Sequence, residues 1–558
     1  MSTADIPSGA RGVDVATGDR ERRWQRLEDW LESVGEGFNP ILVKETRQAL
    51  KSRQFLIAFS LLLIASWIWT LIGSAQIGEF IYTRPSGRDM FFGYYLILLA
   101  ALGVVVPYMS FRSLVAESDE NTYDLLSITT LTPRQIIAGK LGSSIVQMAV
   151  YLAAVAPCMA FTYLLRGIDI FTIGLILVYT VFGSIGLSML GLLLASMTRV
   201  KFVQVVLSMA VVVGLIAAYV GGAGMTAGML RFSGRMINTS EFFLVCLFIG
   251  TIYTTTFAIV FLAAASRITF ESENRATALR IACLVQYLAI SGWIIIPWIE
   301  VVDRTEVAIV FVATAAMYWY VIGIFTTSES PRMSRRVMRQ LPSRLPFRYL
   351  FFWFMPGPAT GYIFSLAGVL SASLMALTAL KFHDMFPDAA MSRSPWRGTR
   401  VPVAPDSATV FALGIICWSY VAIFLGVCKL LVGFARKFTT MNLLLACGIH
   451  FIIVGAAVSL PFVIESNIMR RYSRDYTLLH ISNPFYTLES LGNSWKRFDE
   501  LWTVATILAC AAIVVLLANL KSIATEMARS QIVAPKRIAE DEVELEEIRE
   551  PSYKSPWD

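Results

Sequence analysis

FLIAFSLLLIASWIWTLIGSA, Phe55 to Ala75, runs without a single charged side chain. As a helix rising 1.5 Å per residue, a stretch of this kind crosses a hydrocarbon core about 30 Å thick. Similar runs recur near 91–110, 144–165, 171–196, 203–222, 242–265, 281–299, 306–326, 360–380, 408–430, 441–464 and 501–520. The composition agrees: 56% of residues are hydrophobic and 16% charged, with mean hydropathy +0.62, far from the balance of a soluble domain. The expected fold class is all-α and polytopic, with about twelve transmembrane helices and both termini cytosolic.

Orientation follows from Lys and Arg in short loops. Residues 1–38 are polar and show no signal-peptide pattern, so the N-terminus is expected inside. Trp24, Leu27, Trp30, Leu31 and Val34 recur there at helical spacing, as in a helix lying on a membrane or a partner. The inner side then collects Lys44, Arg47, Lys51, Arg53, Arg112, Arg134 and Lys140. It also collects Arg332, Arg335, Arg336, Arg339, Arg344 and Arg348 from the loop after the eighth run. An even number of spans returns the C-terminus to that side, where Glu540 to Glu550 form an acidic, solvating tail. The net charge of +7 therefore faces lipid headgroups. No basic stripe interleaves with aromatics on a soluble domain, so no nucleic-acid partner is expected.

Catalytic and metal signatures are absent. All seven cysteines fall inside apolar runs, and only Cys447 and His450 stand at helical ligand spacing, a weak signal from which no metal site is expected. Glu79, Glu300 and Glu465 lie at span ends, leaving the interiors almost free of charge, unlike an ion-coupled carrier. Gly139-Lys140 lacks the remainder of a phosphate-binding loop. Any energy for transport is expected from outside the chain.

The stretch FRSLVAESDENTYDLLSITTLTPRQIIAGKLG, Phe111 to Gly142, interrupts the apolar pattern. Glu117 to Asp124 are acidic and rich in capping residues, Leu125, Leu126, Ile128 and Leu131 form an apolar face, and Thr132-Pro133 ends it. A short amphipathic helix held outside the bilayer suits a soluble partner. Upstream, Asn39 caps a helix with Pro40 in its first turn. Leu42, Val43, Thr46, Ala49 and Leu50 are expected on one face of it, opposite Lys44, Arg47, Gln48 and Lys51, as in an interfacial helix.

Three segments together resemble the permeases of ABC type-2 exporters. Asn39-Pro40 with Lys44-Glu45, Arg47 and Ser52-Arg53 is similar to that family's entry segment. Thr122 to Leu126, continuing through Leu131-Thr132-Pro133-Arg134 to Gly139-Lys140-Leu141, is similar to its coupling loop. Asn483-Pro484, with Tyr486, Leu488 and Leu491, resembles the external re-entrant element. The resemblance implies a multi-pass permease of the cell (plasma or inner) membrane, working as an exporter. Asp124, Leu125, Leu126, Ile128, Leu131, Pro133 and Arg134 would meet a separate ABC ATPase subunit that binds the ATP and Mg. It implies no catalytic residue or cofactor on this chain, and a lipid bilayer, a second permease chain or a homodimeric copy as further partners.

The first two matches cover about 39–270, and the Asn-Pro element stands at the far end instead of between spans five and six. The expected segments are a cytosolic and interfacial part, 1–54; a six-span unit, 55–270, with its loop at 112–140; two spans and an Arg-rich loop, 271–350; four spans with two external loops, 351–522; and the tail, 523–558. Residues beyond 270 form either a second, unlike six-span partner or inserted spans. Two other functional readings compete. One is a membrane-embedded lipid or glycan transferase gripping a phosphate with Arg470, Arg471, Arg474, Asp475 and His480. The other is a non-transporting partner in a membrane complex.

Overall fold

The computed structural model describes residues 39–77, 85–119, 131–197, 200–232, 240–270, 272–298, 304–331, 333–338, 340–342, 344–385, 407–439, 441, 443–468, 476–492 and 498–529. Their regular structure is helical, with no strand among the described residues. Twelve of these helices are long and apolar enough to cross a membrane. The chain divides into two compact units at Thr269–Phe270, with six spans in each.

The surfaces explain the solvent. The first span exposes Leu56, Ile57, Leu61, Ile64, Trp67, Ile68 and Leu71, and the sixth exposes Phe243, Leu244, Val245, Leu247 and Ile249. Withdrawing each such side chain from water is worth about 1.5–3 kcal/mol, so these faces belong against lipid. The protein is an integral, multi-pass membrane protein.

In the first unit a short helix α1 (Pro40–Leu50) precedes α2 (Arg53–Ile77). The second span is α3 (Gly87–Ala100), a π turn (Ala101–Val105) and α4 (Val106–Asp119). Then come α5 (Pro133–Leu164), α6 (Ile170–Ala195), α7 (Lys201–Phe232) and α8 (Ser240–Ile268). The π turn has an identifiable cause. Pro107 has no N–H to offer the carbonyl one turn back, so the helix widens there. The Leu102 carbonyl accepts from Ser184 Oγ on α6 instead. Tyr95, Tyr179, Thr180 and Thr226 continue that polar seam among α3, α6 and α7.

The second unit contains α9 (Thr277–Trp298), α10 (Arg304–Thr327), two short helices α11 (Arg335–Met338) and α12 (Leu345–Phe352), then α13 (Pro358–Met385), α14 (Ser407–Ala435) and α15 (Leu443–Val463). A π turn (Ile464–Ile468), a 3-10 turn (Leu478–Ser482) and α16 (Pro484–Gly492) lead to α17 (Phe498–Arg529). Its core gathers Phe311, Trp319, Tyr362, Val369 and Leu425.

The two units follow one plan. In each, the second span packs on the first, third, fourth and fifth, the third on the fourth and sixth, and the fourth on the fifth and sixth. The second and third spans are joined by 120–132 in the first unit and by 328–357 in the second. Counted within its own unit, Asn483-Pro484 stands between the fifth and sixth spans.

Helices extend past the apolar runs. The third span starts at Pro133 instead of near 144, and the last reaches Ala528 instead of ending near 520. Backbone hydrogen bonds continue through polar residues when their charges find partners. Charges do enter the end turns of these helices: Lys140, Arg280, Lys429 and Glu526 lie towards span ends and are buried.

Candidate coupling site

Asn39 begins the site. Its Oδ1 accepts from the Ile41 N–H at 3.1 Å and caps α1, with Pro40 at the first helical position. Its Nδ2 donates to the Gln135 carbonyl in the first turn of α5, tying two segments far apart in sequence. The face that α1 turns inward includes Ile41, which is buried, and Glu45 and Thr46, which are half-buried. Val43 is exposed with Lys44 and Arg47, so it leaves the expected apolar face. The reason is the docking on α5.

That docking requires Gly139. A Cβ there would stand 2.8 Å from Ile41 Cγ2 and 3.1 Å from the Leu42 nitrogen, so only glycine lets α1 lie this close. Next to it, Lys140 points inward with 1% of its side chain exposed. Its ammonium lies 3.2 Å from Glu45 Oε1 and 2.8 Å from Glu117 Oε1. One buried cation thus joins α1, the end of α4 and the start of α5. A charge in this position persists because it is paired, and removal of the cation would leave two carboxylates facing each other. Glu117, expected in the acidic cap of the loop, belongs instead to this triad.

The loop returns through a strong helix start. Thr132 Oγ1 accepts from Gln135 N–H at 3.4 Å, Gln135 Oε1 accepts from Thr132 N–H at 2.9 Å, and Pro133 follows as the first residue of α5. Leu131 and Pro133 are half-buried and Arg134 is exposed. Asp124, Leu125, Leu126 and Ile128 lie outside the described residues.

The second unit ties its connection down with another charge cluster. Arg280 donates to Glu329 Oε2 at 2.7 Å, to the Trp353 carbonyl at 2.7 Å and to Thr360 Oγ1 at 3.0 Å. Glu329 also accepts from Gly357 N–H at 2.8 Å, and Arg436 donates to the carbonyls of Ser328 and Glu329. Burial raises the Glu329 carboxyl above its ordinary range, against the pull of Arg280, and lowers Arg436, against the pull of Glu526. Gly357 has φ 153°, in the region that favours glycine, and its carbonyl accepts from Arg280. Glu526 accepts from Ala359 N–H at 2.7 Å. Lys429 holds its ammonium 5.5 Å from the centre of the Tyr362 ring. None of these groups carried a local motif. The signal open to sequence reading was their rarity on apolar helices.

The Asn-Pro element is built onto a helix break. Pro461 cannot donate to the Ala457 carbonyl, and Ser482 Oγ donates to that oxygen at 3.1 Å instead. Asn483 Nδ2 donates to the Val458 carbonyl at 3.3 Å, while its Oδ1 accepts from Phe485 and Tyr486 N–H, capping α16. Pro484 is the first residue of that helix. Tyr486 stacks near Tyr476 and against His480. His480 is 1% exposed, with Glu465 Oε2 at 3.2 Å from Nε2 and Thr477 Oγ1 at 3.0 Å from Nδ1. It faces this cluster and not solvent. Arg470, Arg471, Arg474 and Asp475 lie outside the described residues.

Cys447 and His450 are both buried, and the described residues include no group of three His, Cys, Asp or Glu side chains placed to hold a metal ion. No family model matches the chain, and neither a curated protein nor a solved structure does.

Proposed function

We propose that this chain is the permease component of an ATP-binding-cassette exporter, driven by a separate ATPase subunit that docks on the 120–132 loop. The observation that carries this reading is the convergence of two motif segments. Asn39 and Glu45 from the entry segment meet Gln135 and Lys140, beyond the loop, and Glu117, before it.

The arrangement makes mechanical sense of a docked loop. Its two roots, α4 and α5, are joined to each other and to α1 by one ammonium. A push on the loop would therefore move these three helices together instead of being absorbed by a slack hinge. ATP-driven closure of the partner would rock the first unit between two packed states. The cargo path would be walled by apolar and aromatic side chains, which suits an amphipathic or lipid-like cargo. The likeness of packing in the two units supports two permease halves on one chain.

Leu126→Asp tests the docking surface. A carboxylate placed in an apolar interface stands unpaired, at a cost of several kcal/mol, about 3–5. The variant should insert in the membrane at wild-type level and no longer retain the ATPase subunit at that loop. Retention of that subunit in a pull-down at wild-type yield would remove the loop from the interface.

A further inference from the structure

The second span of the first unit is fastened to different neighbours on either side of its π turn. Before the turn, α3 is held by α2 and α6. Trp69 Nε1 on α2 donates to the Met90 carbonyl at 3.1 Å, and the hydroxyls of Thr70 and Tyr94 lie 2.8 Å apart. The hydroxyls of Tyr95 and Tyr179, on α6, lie 2.7 Å apart, and Gly87 N–H donates to the Arg166 carbonyl at 2.9 Å. After the turn, the polar links of α4 go to α5. The Ser110 and Ser144 hydroxyls are 2.6 Å apart, and Glu117 pairs with Lys140 at 2.8 Å. Lys140 also holds Glu45, and the Gln135 carbonyl holds Asn39, so α4, α1 and the first turns of α5 form one body.

Between these fastenings the helix is weakened twice. Pro107 supplies no N–H, and Gly103, inside the π turn, supplies no side chain. Packing does not ask for that glycine. A Cβ at Gly103 would meet nothing nearer than Leu99 Cδ1 at 3.4 Å, an ordinary contact. At Gly93, by contrast, a Cβ would collide with the Trp69 ring, and at Gly191 it would stand 3.1 Å from the Pro107 carbonyl oxygen. One tether reaches the turn from outside, the bond from Ser184 Oγ to the Leu102 carbonyl. Along α6, Phe111 and Leu114 of α4 share an apolar cluster with Met189 and Leu192. Apolar contact has no direction, so such a face can slide where hydrogen bonds and ion pairs cannot.

We propose that the π turn at Ala101–Val105 is a hinge. About it α4 swings along α6 together with α1 and the start of α5, while α3 stays with α2 and the beginning of α6. A turn whose carbonyl is bonded by a side chain instead of the backbone changes direction without breaking the helical bonds on either side. The hinge rests on the reading of the 120–132 loop as a dock for what drives it, whereas the joint belongs to this chain alone. Ser184 sets how stiff the joint is, because it holds the one carbonyl that Pro107 leaves free.

Distances between spin labels test it, in the full chain freed of its native cysteines and held in lipid nanodiscs. One pair spans the joint, Arg112→Cys on α4 with Phe171→Cys at the beginning of α6. The other stays within one body, Arg112→Cys with Arg47→Cys on α1. All three native side chains are exposed. On the chain alone, the 112–171 distances should be distributed more broadly than the 47–112 distances. Ser184→Ala should broaden the first pair further. Gly103→Ala combined with Pro107→Ala restores a continuous helix and should narrow it, at a thermal midpoint no lower than the wild type's. Equal widths for the two wild-type pairs overturn the hinge, and so does a folded double variant that stays as broad as the wild type. With the co-purified ATPase subunit, a non-hydrolysable ATP analogue should move the 112–171 distance by about 3 Å or more and leave 47–112 in place. The double variant should lose at least half of that shift. A joint that is broad in the chain alone but unmoved by nucleotide overturns its part in coupling. A chain that retains no ATPase subunit overturns the reading of the loop as a dock, and the widths measured on the chain alone still decide the hinge.

Discussion

Lys140 is a charged residue inside an apolar bundle, tolerable only because Glu45 and Glu117 lie within 3.2 Å of its ammonium. Lys140→Met keeps most of the volume and removes the cation. It should destabilise the first unit by about 3 kcal/mol, because two half-buried carboxylates lose their partner and face each other. A lowered thermal midpoint of the purified protein in detergent is the readout. Adding Glu45→Gln and Glu117→Gln should recover most of the loss, since no unpaired charge then remains. If Lys140→Met alone melts like the wild type, the triad does not hold α1 on α5. Gly139 completes the contact by a different means, since the close approach of Ile41 leaves no room for any side chain.

At the level of elements, the re-entrant segment shows how a proline break in one helix becomes the seat of another. Ser482 and Asn483 take up carbonyls around Pro461, and Asn483 at the same time caps α16. Each bond contributes about 1 kcal/mol net. The pair Ser482→Ala with Asn483→Ala should therefore open residues 478–492 about tenfold or more in hydrogen exchange, while protection in α13 and α14 stays unchanged. Equal exchange in wild type and double variant would mean that this element is held by its aromatic contacts alone. The starts of α1, α5 and α16 were legible from local letters, because Asn39-Pro40, Thr132-Pro133 and Asn483-Pro484 satisfy their own helix ends. The meetings of Asn39 with Gln135 and of Lys140 with Glu45 were not, because each joins elements about 95 residues apart, and nothing local encodes them.

For the whole molecule, the prediction concerns sidedness. From the distribution of Lys and Arg, the segments 112–140 and 327–350 are expected inside and the 381–406 loop outside. In a chain freed of its native cysteines, single cysteines at Ser118 and Ser334 should resist a membrane-impermeant thiol reagent in intact cells, and one at Ser394 should react. Reaction at Ser118 but not at Ser394 would invert the molecule. The likeness of the two units adds a check within one experiment, since Ser118 ends the second span of one unit and Ser334 follows that of the other, and the two should behave alike.

Fold class was written in the sequence, since the length and apolarity of a span are properties of one contiguous segment and need no knowledge of its neighbours. Twelve runs became twelve helices, with the third and the last carried past their apolar runs through the buried Lys140 and Glu526. The likeness of the two units was decided only in three dimensions. Their charge clusters are built differently: Lys140 on the third span with Glu45 and Glu117 in one, Arg280 on the first span with Glu329 in the other. The likeness lies in which helices touch, and helix contacts follow from shape and charge matching between remote segments. The same reason hid the buried charges. A lysine at the end of an apolar run looks solvated until the fold brings a carboxylate or an aromatic ring beside it and closes the bundle over both.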